Sequence, residues 1–192
     1  MKQEPIKWSD WNPAAFPDSL TIQEILSSMP QSPVEGIPRI IQLFENPSSP
    51  YSLCGPTDLK THDIIHILLG RGLLQQDEAF VIGYSMGNAS NASALDRMWF
   101  LQVATKKYPK PFTFSSEDAR IFNLAFDFGM DSDLRNINSL NALEFLGLSL
   151  ADARKKVALS KKTLADFYKR EVSAVGPTKV SARLSKAFEL TS

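Results

Sequence analysis

An all-α fold is the class this sequence predicts, and three observations carry it. Apolar residues recur at helical spacing in several segments that open on a Ser, Thr or Asp of capping type, and some of these close on glycine. No stretch shows the strict alternation of a half-buried strand, and no internal repeat is present. With 192 residues, 43% hydrophobic and 22% charged, the chain is ordinary in composition and long enough to bury a core. The expectation is a single compact helical domain over residues 1–192, with a loop-rich, proline-rich N-terminal third. A motif-bearing helical core spans about 57–160, and a basic amphipathic helical segment spans about 150–192.

From residue 1 to about 50, Pro5, Pro13, Pro17, Pro30, Pro33, Pro38, Pro47 and Pro50 restrict their predecessors, so helices there must be short. In "SLTIQEILSS", Ser19 reads as an N-cap with Glu24 a turn further in. In "IPRIIQLFE", Pro38 suits a first helical position, and Ile40, Ile41, Leu43 and Phe44 would face a core. "PTDLKTHDIIHILLG" offers Thr57 or Asp58 as cap, a stripe of Leu59, Ile65, Leu68 and Leu69, and a stop at Gly70. A second helix begins near Gln75 to Glu78 and runs through "AFVIGYSMG", where Gly83 and Gly87 let another backbone approach closely. "NASN" turns the chain into "ASALDRMWFLQVATKK". "SSEDARIFNLAFDFG" has Ser115 or Ser116 as cap, a stripe of Ile121, Leu124, Ala125 and Phe128, and Gly129 as a stop. The last periodic stretch sets Val157, Leu164, Phe167 or Tyr168, and Val175 among Lys and Arg.

Composition excludes several classes. A lone cysteine, Cys54, rules out a disulfide framework and any Cys-rich zinc module, so a metal site must use His and carboxylates. The first twenty residues have no apolar signal region and carry Glu4, Asp10 and Asp18, which reads as neither a secretory signal nor a transit peptide. A cytoplasmic protein is the simplest expectation. The uncharged run from Ala79 to Leu95 is broken by Gly83, Gly87, Asn88 and Asn91, which argues against a spanning helix and leaves peripheral membrane contact open. Asn88 and Asn91 lie in N-x-S sequons that read as chance matches without a secretory signal. The net charge of zero conceals an asymmetry: residues 1–153 carry 11 basic and 18 acidic side chains, residues 154–192 carry 10 and 3. Such a basic segment suits a solvated helix, an anionic membrane or a partner; no nucleic-acid fold signature accompanies it, and no nucleic-acid partner is expected.

Both histidines of the chain fall in "KTHDIIHILLGRGLLQQDE". On a helix, His62 and His66 project within roughly 40° of one another, the arrangement that lets two imidazoles meet one cation. Asp63 lies to one side, within reach of a metal or of a histidine N–H. Glu78 would fall on nearly the opposite face of an unbroken helix, but Gly70 and Gly72 allow the chain to fold back. Two imidazoles and two carboxylates suit Zn²⁺, Fe²⁺ or Mn²⁺. If one carboxylate instead holds a histidine tautomer, a coordination position stays open for water or substrate. The bland alternative is a helical face on which Asp63 pairs a histidine and no metal binds. The metalloprotease pattern H-E-x-x-H is not matched, since Asp63 replaces the glutamate and no third ligand stands at that spacing. Gly83, Tyr84, Ser85, Met86 and Gly87 spell G-x-S-x-G, yet the stretch is helical throughout and lacks the strand that a nucleophile elbow needs.

"HDIIHILLG" followed by Glu78 reproduces H-D-x-x-H, eleven residues, then E, and in this it resembles the ubiquinone (coenzyme Q) biosynthesis protein 4 family. "DEAFVIGYSMGNAS" stands where that family has an apolar helix after its glutamate, and "LAFDFGMDSDLRNIN" with "SLADARKKVAL" resembles its later helix, loop and basic helix. The resemblance covers about residues 57–160. It implies an all-α fold with a metal site, usually zinc, formed by His62, Asp63, His66 and Glu78. It further implies an apolar groove for a prenylated ring or isoprenoid tail, for which Gly83, Tyr84 and Gly87 are the candidate lining residues, and peripheral membrane association. The implied role is quinone-ring maturation, either as an oxidative decarboxylase and hydroxylase or as a scaffold for a biosynthetic complex or homo-oligomer. The proline-rich first fifty residues and the basic segment after Leu159 lie outside the resemblance, and the missing transit peptide points to a bacterial relative. A metal-free helical interaction domain is the third reading.

Overall fold

Caps and turns set the boundaries of the helices. The computed structural model describes residues 6–31, 36, 38, 41, 42, 45–49 and 52–188. Among them are nine α-helices and no strand: α1 (Ile22–Ser27), α2 (Leu59–Leu69), α3 (Gln75–Asn88), α4 (Ala94–Lys106), α5 (Ser116–Asp131), α6 (Ala142–Phe145), α7 (Leu150–Lys156), α8 (Lys161–Val175) and α9 (Lys179–Ala187). The fold is all-α, as the periodicity predicts. One isolated antiparallel bridge joins Thr21 to Ser149.

Thr21 rather than Ser19 caps α1, because its hydroxyl receives the Glu24 N–H while the Glu24 carboxylate receives the Thr21 N–H at 2.8 Å. Asp58 caps α2 through the N–H groups of Lys60 and Thr61, and Ser115 caps α5 in a box with Asp118. Ile41, Gln42 and Glu45 are helical and Ile41 is buried; Ile40, Leu43 and Phe44 lie outside the described residues. Of the predicted stripe on α2, Ile65, Leu68 and Leu69 are buried, whereas Leu59 is 64% exposed in the first turn. Gly129 does not stop α5, which continues to Asp131.

The glycines of α3 serve packing. A Cβ on Gly83 would stand 2.5 Å from the Phe122 carbonyl oxygen, and one on Gly87 would stand 1.9 Å from that of Phe126. Gly129 answers from α5, where a Cβ would meet the Tyr84 carbonyl at 2.3 Å. The two helices therefore touch backbone to backbone. Asn88 closes the end of α3 with its buried side chain, which donates to the Leu134 carbonyl and accepts the Ile137 N–H; its sequon is thus inside the fold.

The basic C-terminal segment is built into the core and is not an appended tail. Ala158, at φ 54°, breaks it into α7 and α8. Leu164, Phe167 and Tyr168 of α8 and Val180 and Leu184 of α9 bury one face of each helix. Two of its side chains also complete α2, whose last carbonyls have no partner within the helix. The Arg154 Nε donates to the Leu68 carbonyl at 2.9 Å, and the Tyr168 hydroxyl donates to that of Leu69. No helix among the described residues is long and apolar enough to cross a membrane.

Candidate metal centre

The turn between α2 and α3 returns Glu78 to the two histidines. Gly70 adopts φ 71°, its N–H reaching the Ile67 carbonyl while the Arg71 N–H reaches that of His66 at 2.8 Å. This is the paired 5→2 and 6→1 pattern of a Schellman turn. Reversed by it, α3 brings the Glu78 carboxylate to 3.6 Å from His62 Nε2 and 3.4 Å from His66 Nε2. One ligand atom from each of His62, His66 and Glu78 lies within 4.8 Å of the other two. The imidazole rings stand edge to face with centroids 4.6 Å apart.

His66 supplies the test of whether a cation fits. Its Nδ1 lies 2.8 Å from the Gly72 carbonyl oxygen, which only accepts, so Nδ1 carries the proton. In the neutral ring the lone pair then sits on Nε2, which is buried and makes no hydrogen bond. A buried nitrogen lone pair directed at a second imidazole and a carboxylate is what a metal ligand needs, with its other nitrogen already held by an outer partner. The donor set, two nitrogens and one carboxylate, suits zinc and also iron or manganese.

Asp63 stands apart from this cluster. Its carboxylate faces the other nitrogen of His62, Nδ1, at 3.9 Å, an ion-pair distance at which it favours the protonated ring. Burial opposes protonation of His62, but Asp63, Glu78 and Glu45 outweigh it and hold the ring above the ordinary histidine range. For Glu78 burial pushes upward, and His66 and His62 together leave the carboxyl below its usual value. His62 and Glu78 retain about a fifth and a third of their side-chain exposure, so the cluster is open on one side.

That side is a cavity of about 1280 Å³, larger than the ~300–1,000 Å³ typical of small-molecule pockets. His62, Asp63 and Glu78 lie on its wall, and apolar side chains including Leu26, Leu53, Ile82, Phe100 and Phe112 make much of the rest. The helical register of α3 turns Glu78, Ile82, Ser85 and Met86 toward this space. Gly83, Tyr84 and Gly87, the candidates for lining a groove, are not on the wall: they face α5, for the steric reason given above, and the Tyr84 ring is fully buried beside Phe128. Ser85, the serine of the G-x-S-x-G match, sits mid-helix with a buried hydroxyl that has no partner, far from the strand-to-helix turn a nucleophile elbow requires.

Two polar residues of the wall carry no motif. The Tyr108 hydroxyl donates to Glu45 Oε1 at 2.6 Å, joining positions 63 apart in the chain. Burial drives the Glu45 carboxyl up to about 7, against the opposing influence of Tyr108 and His62. Nothing in "IIQLFE" or "KKYPK" marks the two as neighbours; the one hint is a lone carboxylate closing an apolar helical run.

No protein-family model, curated protein or solved structure matches this chain.

Proposed function

We propose that this chain holds one divalent metal ion, zinc in the first instance, between His62, His66 and Glu78, and presents it to a long apolar ligand of isoprenoid-quinone type. The observation that carries the reading is the buried Nε2 of His66, which makes no hydrogen bond and stands 3.4 Å from Glu78, beside His62, at the wall of a large apolar cavity. The ring chemistry, decarboxylation or hydroxylation of a prenylated aromatic ring, is what the resemblance of the H-D-x-x-H and Glu78 pattern to the ubiquinone biosynthesis protein 4 family implies. A bound metal would supply Lewis acidity toward a ring oxygen or carboxylate, or an activated water. His66 holds its lone pair ready through the Gly72 carbonyl, Asp63 stands at ion-pair distance from His62, and the apolar wall excludes water from the tail.

Contact with a membrane surface belongs to the same reading. Leu95, Met98 and Trp99 form an exposed apolar ridge on α4, and Lys106, Lys107 and Lys110 follow it. Tryptophan beside lysine suits the lipid–water interface.

Metal analysis of the purified chain, beside His66→Ala and Glu78→Ala, tests the first half: one equivalent of metal lost in both variants is expected, and retention in both overturns it. Mass spectrometry of organic extracts tests the second half, with a prenyl lipid expected. A second reading, a scaffold whose metal fixes the turn between α2 and α3, is favoured by the ligands' coming from both sides of that turn. Unfolding on chelation, with no turnover of a prenylated benzoate, would select it.

A further inference from the structure

The carbonyl that orients His66 belongs to a turn gripped from outside by the two C-terminal helices. Arg71 and Asp77, at the two ends of the turn, are fully buried, as is Glu171 of α8. The Arg71 guanidinium pairs with Glu171, lies 3.6 Å from the centroid of Phe80 and 4.6 Å from that of Tyr168, and stands 3.8 Å from Asp77. Gln76 adds a second bond to Glu171, at 2.8 Å. From α9, Arg183 donates to Asp77 at 2.5 Å and to the carbonyls of Ser9 and Trp11 at 3.2 and 3.4 Å. Asp77, the residue before Glu78, in turn receives the Leu74 N–H at 3.1 Å, which fixes the first turn of α3.

Gly72 is at the centre of this grip. A Cβ there would stand 2.5 Å from the Trp11 carbonyl oxygen and 2.8 Å from Arg183 Nη2. The peptide whose carbonyl receives the His66 Nδ1–H is therefore wedged between the N-terminal segment and the Arg183 guanidinium. Two acids and two bases balance in charge, so the grip holds only while all four are in place; removing one leaves a buried charge uncompensated. Such outer partners set ligand orientation and tautomer.

We infer that Glu171 and Arg183 are positioning residues for the metal centre, acting through the turn and the Gly72 carbonyl to present Nε2 of His66 toward His62 and Glu78. The inference rests on the metal reading for its consequence, but its first test needs no metal. In the ¹⁵N-labelled, metal-free full chain, long-range proton–nitrogen spectra at fixed alkaline pH should show His66 as the Nδ1–H tautomer. Glu171→Gln and Arg183→Gln should each give a mixture of tautomers and weaken Co²⁺ binding by about 10- to 100-fold, with an altered visible spectrum. Lys179→Met, which breaks only the surface pair with Asp10 near the start of α9, should change neither. Should Glu171→Gln fail to fold, Arg183→Gln, whose side chain is partly exposed, carries the test. An unchanged His66 tautomer in folded variants overturns the inference. A shifted tautomer in a chain that takes up no Co²⁺ supports the positioning and overturns the metal reading instead.

Discussion

Along α3, Gly83 and Gly87 meet the backbone of α5, while Glu78, Ile82, Ser85 and Met86 look across into open space. The first face has no room for a methyl group; the second borders about 1280 Å³ of cavity. One helix thus has a rigid back and an open front. The difference teaches where stability and where function are stored: a close-packed face fixes the helix, so its other face can carry a carboxylate and leave space unfilled without the site collapsing.

The sharpest way to break this contrast is Gly87→Ala. In an exposed helix interior that change would stabilise by ~1 kcal/mol; here the new Cβ would stand 1.9 Å from the Phe126 carbonyl. A loss of about 3 kcal/mol or more is expected in denaturant unfolding, and a gain would refute the back face as described. On the front, Glu78→Gln should leave the fold intact and weaken zinc about 100-fold, some 2.7 kcal/mol by competition titration. Protonation of His62 competes with metal, and since that ring is held above the ordinary histidine range, affinity should fall and proton release should rise on acidification sooner than an ordinary histidine would make them.

Glu45 tests the polar part of the front. Its folded pKa of about 7 lies above the ordinary 4.5, so the folded chain binds the proton more tightly. Its contribution is therefore fully present below pH 4.5 and is lost as pH rises through 7. Glu45→Gln should flatten the stability curve across that window, by at most about 3 kcal/mol, measured on metal-free protein. Asp63→Asn should weaken zinc by about 10-fold, the smaller effect expected of a group outside the ligand cluster. Smallest of all, Trp99→Ser should change stability by under ~0.5 kcal/mol yet lower retention on anionic liposomes at low salt.

What could be read from the chain alone is local. The i, i+4 spacing of His62 and His66, the Asp58 and Ser115 caps and the Gly70 turn are encoded within a few residues of where they act, and each is where the pattern puts it. Ser19 lost to Thr21 because only Thr21 stands three residues before Glu24 and completes the capping box. Gly83 and Gly87 were legible as points of close approach but not as to which neighbour approaches, and so their face could not be told from the cavity's. The contacts of Glu45 with Tyr108, and of Arg71 with Glu171 across 100 residues, have no local signature. They arise from packing, which periodicity does not number.

The distance between Arg71 and Glu171 has a consequence for the order of assembly. As the chain is synthesised, α2, the turn and α3 emerge long before α8 and α9 exist. The carbonyls of Leu68 and Leu69, later claimed by Arg154 and Tyr168, remain hydrated until then. Contacts that span so much chain form late. The geometry of the His62, His66 and Glu78 cluster is therefore among the last features to mature, and a nascent chain passes most of its synthesis with histidines present but not yet aligned.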